Sequence, residues 1–232
     1  MKKTNNKIKI VRPREYVSYS QLSAWDTSKE RWWQVYVLGQ SGYNEEQVAF
    51  GGRFSEAREK DESIENDIGA EFARIMMPSY PKREYKIEAK LDGVRLLGKL
   101  DSFDPEGLKV GEDKTGKLWT KKMVDESEQL DFYALLVYAK YRRLPSEMRL
   151  NWAETKTDEW GNIIATGKFE IFYTSRDLVR IMRMFGKVRR YIRETDEYLR
   201  ERWKYIIAID KKGELGFKIK KQRNGKLEKI KE

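Results

Sequence analysis

The residues of this chain best suited to chemistry lie between Gly98 and Gly116, in GKLDSFDPEGLKVGEDKTG. Asp101 belongs to one strand-like run, Leu96 to Phe103, and Glu112 and Lys114 to the next, Leu108 to Thr115. Asp104-Pro105-Glu106-Gly107 stands between them as a turn. Side chains alternate along a strand, so Glu112 and Lys114 share a face and Asp113 points to the other. If the hairpin closes with Asp101 on the first face, two carboxylates and one ammonium converge at its mid-length. Two acids held by strands make a hard-oxygen site suited to magnesium or manganese. A lysine beside such a site orients a water or stabilises charge on a phosphate under attack. The chemistry open to this set is metal-assisted hydrolysis of a phosphodiester.

Glu-x-Lys alone says little in a chain that is 37% charged. Glu84-Tyr85-Lys86, Glu88-Ala89-Lys90 and Glu154-Thr155-Lys156 fit the same pattern, and each reads as a solvated strand face. Residues 112 to 114 differ in their surroundings. Val110-Gly111 precedes them, Thr115-Gly116 closes the strand, and Asp101 lies one hairpin arm upstream. A helix expected over about 125–141 carries Gln129 and Tyr133, four apart and so on one face. This amide and phenol can point together at the strand ends.

The order Gly98-x-x-Asp101, Glu112-x-Lys114-Thr115-Gly116, Gln129-x-x-x-Tyr133 resembles the PD-(D/E)XK nuclease superfamily. The last pair resembles its RecB-like exonuclease branch, as does the serine-rich helix start Ser18-Tyr19-Ser20-Gln21-Leu22. The resemblance covers about residues 18 to 140. It implies a restriction-endonuclease-like α/β fold, a mixed central β-sheet flanked by helices. It implies a divalent-metal-dependent DNA exonuclease, acting in recombination, repair or replication. Asp101 and Glu112 would ligate Mg²⁺ or Mn²⁺, the main-chain carbonyl of Asp113 would complete the shell, and Lys114 would place the attacking water. Gln129 and Tyr133 would orient the substrate. DNA is the implied partner, with a second copy of the chain or recombination and replication proteins as further candidates.

The departures are specific. RecB-like nucleases usually carry a metal-binding histidine on the helix before the sheet. The matching stretch here, Gly51-Gly52-Arg53-Phe54-Ser55-Glu56-Ala57-Arg58-Glu59, has Ser55 in that place, and the chain has no histidine. Ser55 or Glu59 would then support metal-bound waters, or Glu56 or Glu59 would replace the imidazole. The chain also has no cysteine, which excludes disulfides, thiolate zinc sites and the iron–sulfur cluster of some relatives. The missing histidine motivates a second reading, a catalytically weakened nuclease fold that only binds DNA. A structure-specific endonuclease is a third.

The net charge of +10 is unevenly placed. Residues 1 to 15 hold six basic residues and one acid, and residues 211 to 232 hold nine and three, so the body between is close to neutral. Basic tails on a phosphodiester-cutting body would make nucleic-acid binding tighter and salt-sensitive, the reading preferred over a merely solubilising role. The domain expectation is therefore a basic segment over 1–17, a nuclease domain over 18–210 and a basic tail over 211–232. No stretch approaches the roughly 20 apolar residues that cross a bilayer. Nothing at the start has the apolar core of a signal peptide. The expectation is an intracellular, cytoplasmic protein with no membrane partner.

The remaining elements must hold the hairpin in place. Ser18 or Ser20 is expected to cap a first helix, and a second follows to Leu38. Trp25, Trp32, Trp33 and Tyr36 fall at helical spacing, which favours core over base stacking. A long helical region is expected over about 46–77, with Gly51-Gly52 as its candidate break. Strands are expected over about 83–91, 149–155 and 163–173. Ser175 is expected to cap a long helix with the apolar stripe Leu178, Ile181, Met182, Phe185, Val188, Ile192 and Leu199. Its basic face, Arg180, Arg183, Lys187, Arg190 and Arg193, suits either a phosphate backbone or solvent. Short strands are expected within 205–219.

Overall fold

The computed structural model describes residues 15–39, 45–116, 118–211, 218–221 and 227–230. Four helices come first: α1 (Tyr19–Thr27), α2 (Lys29–Tyr36), α3 (Glu45–Lys60) and α4 (Ile68–Met76). The meander β1 (Lys82–Leu91), β2 (Val94–Asp104) and β3 (Lys109–Gly116) follows, then α5 (Lys121–Asp125) and α6 (Glu128–Tyr141). The chain continues through the hairpin β4 (Glu147–Thr157) and β5 (Ile163–Thr174), the long α7 (Leu178–Lys211), and a small hairpin of β6 (Lys218–Lys221) and β7 (Leu227–Ile230). The main sheet has the order β1-β2-β3-β4-β5, antiparallel throughout except that β3 and β4 run parallel. This is the expected mixed sheet flanked by helices.

Helices cover both faces. On one, α6 lies against β1, β2 and β3 and under α7, and its residues from Leu130 to Val137 are buried on every side, as expected of a helix enclosed by core. Gly98 permits this closeness, because a Cβ there would stand 2.3 Å from Leu136 Cδ1. Trp25, Trp32 and Trp33 are buried here, with the Trp32 indole donating to Tyr191 Oη at 2.9 Å and that of Trp25 to Glu194 at 3.0 Å. These rings are core. On the other face, Phe50, Phe54, Ala70, Ala73 and Met77 of the α3–α4 layer pack with Ala153 and Ala165.

Several local expectations are corrected. α3 runs straight through Gly51-Gly52; a Cβ on Gly51 would meet Thr115 Oγ1 at an ordinary 3.5 Å. The break comes instead at residues 61–67, where Asp61 and Asn66 take φ of 56° and 62° and Asp67 caps α4 by accepting from Ala70 N. Ser18 occupies the cap position of α1 but its hydroxyl bonds to Ser20. α7 is capped by Asp177, which accepts from Arg180 N at 2.7 Å, so Ser175 lies outside it. Its buried stripe contains Met184 and Tyr191, while Leu178 and Met182 are exposed. The helix extends to Lys211 through the region read as strand; Gly213 lies outside the described residues. Among the described residues no helix is long and apolar enough to cross a membrane.

Candidate active site

β2 and β3 pair only over Ser102↔Gly111, Phe103↔Val110 and Asp104↔Lys109. Beyond Ser102 the strands part. Val17 fills the far end of the opening, donating to Arg95 O and accepting from Leu97 N, both at 2.9 Å. In the gap, the Asp101 carboxylate takes the place of the missing ladder bond and accepts from Asp113 N at 2.7 Å. β1 yields at the same level. Arg83 pairs with Ser102 and Tyr85 with Leu100, but Glu84 between them has φ of 47°, a left-handed conformation costly for a residue with a Cβ.

The residues singled out in the hairpin and α6 come together here. Glu112 is 2% exposed, and its Oε1 accepts from Gln129 Nε2 at 2.6 Å and forms an ion pair with Lys114 Nζ. Its Oε2 is buried with no partner. Gln129 also donates to Tyr133 Oη at 2.8 Å, and Tyr133 donates to the Lys99 carbonyl at 3.0 Å. The shared helix face of Gln129 and Tyr133 thus binds Glu112 from one side and the β2 backbone from the other.

The electrostatics follow from burial and like charge. Burial, then Glu112 and Asp113, push the Asp101 carboxyl well above the usual carboxylate range. Burial, then Glu112 and Asp101, push the Tyr133 phenol up. Burial pulls the Lys114 ammonium down, but the charge and hydrogen bond of Glu112 outweigh it, and the group ends above its ordinary value. Lys114 therefore stays protonated near neutral pH.

The donor set fits a divalent cation. Asp101 and Glu112 repel each other across the gap, and with Lys114 and Gln129 both at Oε1 the buried Oε2 of Glu112 is left without a partner. Every donor is oxygen. Among the described residues no group of three or more acids could hold a metal. Two carboxylates suit magnesium, which keeps several waters and uses one or two protein acids.

The α3 residues behave differently from one another. Ser55 donates to Glu84 Oε1 at 2.9 Å, and the other Glu84 oxygen pairs with Lys99. Glu59 is exposed, and its charge bears on Lys99 together with those of Glu84 and Asp101. Glu56 turns to Lys60 on the surface, away from the imidazole's place.

Three participants escaped the sequence reading: Glu84, Arg58 and Asn151. On the face opposite Glu112, Asp113 accepts from Arg58 Nε and from Asn151 Nδ2, both at 2.6 Å. A polar residue at 151 inside the apolar run Leu150–Ala153, and an arginine four residues after Phe54 on a buried helix face, were the available signals.

A cavity of about 700 Å³ lies elsewhere, between α3, the 61–67 loop and the β4–β5 turn with its exposed Trp160; of the candidate residues only Glu56 lines it. The basic face of α7 divides: Arg180 pairs with Asp131 and Lys187 with Asp26 and Glu128, while Arg183, Arg190 and Arg193 are exposed.

No model of a protein family matches the chain, and no curated protein does. Solved structures do. A proposed exonuclease from Eubacterium rectale aligns with a TM-score of 0.49 at 14% identity, over 77% of this chain and 80% of that one. An alkaline exonuclease from Laribacter hongkongensis aligns at 0.45 and 10% identity, over 84% and 95%. A phage-related exonuclease from Haemophilus somnus aligns at 0.46 and 10% identity, over 78% of this chain and 81% of that one.

Proposed function

We propose that this chain hydrolyses DNA phosphodiester bonds with Mg²⁺ or Mn²⁺ held by Asp101, Glu112 and the Asp113 carbonyl. The observation that carries the reading is Glu112: buried, with one oxygen orphaned, beside a second acid and a fixed lysine. When bound, the cation would polarise the phosphate and make a water a better nucleophile. The chain's own part is placement. Glu112 holds the Lys114 ammonium in the opening, where it can orient a water and stabilise charge gathering on the phosphate oxygens. Gln129 fixes Glu112 and Tyr133 in turn. The exonuclease preference comes from the likeness of Gln129 and Tyr133 to the RecB-like branch, and so does a role in recombination, repair or replication.

The test is cleavage of end-labelled linear DNA and of closed circular single-stranded DNA, with Mg²⁺, with Mn²⁺ and with chelator. The double variant Glu112→Ala, Lys114→Ala runs beside the wild type. Metal-dependent loss of the linear DNA alone, absent in the variant, is the expected result. Cutting of the circle would make the enzyme an endonuclease. Salt-sensitive binding without cleavage under either metal would leave a DNA-binding module, the reading favoured by Ser55 standing where a histidine ligand is usual.

A further inference from the structure

Asp113 is the middle residue of Glu112-Asp113-Lys114, and it is held from both sides of the sheet. On the site face its N–H donates to Asp101 Oδ2 at 2.7 Å. On the rear face its carboxylate is gripped by Arg58 and Asn151. Neither grip is loose. The Arg58 side chain is 2% exposed. Its other N–H groups donate to the carbonyls of Arg74 and Met77, at 3.0 and 2.9 Å, and of Pro78 at 3.1 Å. Asn151 Nδ2 also donates to Pro78 O at 2.9 Å. The carbonyls come from the end of α4 and the start of the segment leading to β1, so the clasp joins α3, α4, β3 and β4 at one carboxylate.

We propose that Arg58 and Asn151 are positioning residues for the metal centre: by fixing Asp113 from behind, they set its peptide and, through its N–H, the Asp101 carboxylate. The inference rests on the metal-dependent reading above. Its physical basis is the opening between β2 and β3. Where a ladder continues, neighbouring strands hold a peptide plane; here the ladder stops at Ser102↔Gly111, and Asp113 needs another restraint. Parallel pairing with β4 supplies one edge, with Asp113 opposite Asn151. The rear clasp supplies the direction normal to the sheet. α3 thus serves the site through Arg58, three residues beyond Ser55, by bracing a strand and not by presenting an imidazole. A brace of this kind acts on affinity for the cation, since outer partners of metal ligands typically change it 10- to 100-fold.

The experiment is Mn²⁺ titration by calorimetry on the wild type, Glu112→Ala, Asn151→Ala, Arg58→Lys and Leu199→Ala. Leu199 is buried in α7 and stands for destabilisation without contact to the clasp. Wild-type binding that Glu112→Ala abolishes establishes the site. Asn151→Ala and Arg58→Lys are then expected to weaken Mn²⁺ about tenfold or more, with cleavage restored toward the wild-type rate by raising Mn²⁺, while Leu199→Ala keeps wild-type affinity. If Arg58→Lys does not fold, Asn151→Ala decides alone. Folded Asn151→Ala with wild-type affinity would overturn the inference and leave the nuclease reading standing. Wild type without Glu112-dependent Mn²⁺ binding would overturn both.

Discussion

Arg58 and Arg176 are built alike. Each side chain is almost wholly sealed from water, each gives its Nε to one carboxylate, and each offers its remaining N–H groups to oxygens of neighbouring segments. Arg176 pairs with Asp131 and donates to Thr174 Oγ1 at 2.6 Å and to the carbonyls of Ser175 and Val124 at 2.9 Å. Burial pulls its guanidinium down, and Asp131 partly restores it. The difference is what the carboxylate belongs to. Asp131 sits inside a buried helix whose backbone is already satisfied, so Arg176 adds a tie between β5, α5 and α6. Asp113 sits where the β2–β3 ladder has ended, so Arg58, together with Asn151, adds a restraint that the ladder no longer supplies. The same local chemistry gives stability in one place and placement in the other.

Removing Arg176 is expected to have the largest effect on folding. Breaking a buried pair costs about 3–5 kcal/mol, and the lower end applies here because Arg180 still reaches Asp131 at 2.7 Å. At about 2–4 °C per kcal/mol for a chain of this size, Arg176→Met should lower the melting temperature by about 10 °C. Manganese affinity should stay within about twofold, allowing for the usual context dependence. A larger loss of affinity would break the comparison, because the α6 clasp would then be acting on Glu112 through Gln129.

Asp101→Asn sharpens it in the opposite sense. Asparagine can still accept from Asp113 N, but the repulsion with Glu112 is gone. A carboxyl raised in the folded state contributes stability that is full below its unfolded value and lost as pH rises through the folded one. Metal-free wild type should therefore lose stability with rising pH relative to Asp101→Asn, since burial first and then Glu112 raise the Asp101 carboxyl; thermal melts with chelator at several pH values measure it. Adding Mn²⁺ should close the gap for the wild type only. Curves that stay parallel across pH would mean that Asp101 and Glu112 do not share a field.

The smallest expected effect is Gly51→Ala, on the same helix as Arg58 but away from the clasp. The added methyl meets Thr115 at ordinary contact distance, so the gain is the helix-propensity difference, about 0.5–1 kcal/mol. A melt shifted up by about 2 °C with unchanged Mn²⁺ affinity would separate stiffening α3 from aiming Arg58.

Much of the site could be read from the chain because it is local. Asp101, Glu112 and Lys114 belong to one hairpin, and Gln129 and Tyr133 to one helix turn after it, so period-two and i,i+4 patterns suffice. Glu84, Arg58 and Asn151 reach the same place from separate elements, and no short-range pattern records that. Arg58 stands in the charged run Arg53–Lys60, where solvation is the usual reading. Gly51-Gly52 misled for a similar reason: glycine weakens a helix, but packing decided where α3 ends, and Asp61 and Asn66 supplied the left-handed residues for the turn. The shift in the α7 stripe from Met182 to Met184 is a choice between neighbours that only the partner surface makes.

The sheet order has a consequence for how the protein assembles. β1, β2 and β3 form a meander and β4 with β5 a hairpin, two sets of short-range pairings. The two sets meet in the main sheet only along the parallel pairing of β3 with β4, across the whole α5–α6 crossover. Contacts so distant in sequence are slow to close. Glu112 and Asp113 lie on that seam, opposite Leu150 and Asn151. A refolding chain therefore completes its two arms before the Asp101–Glu112 site closes. Pulse-labelled hydrogen exchange should find the amides bonded between β3 and β4 protected after those bonded within the β1–β2 and β4–β5 pairs, so a newly made chain does not bring the site together until its sheet is whole.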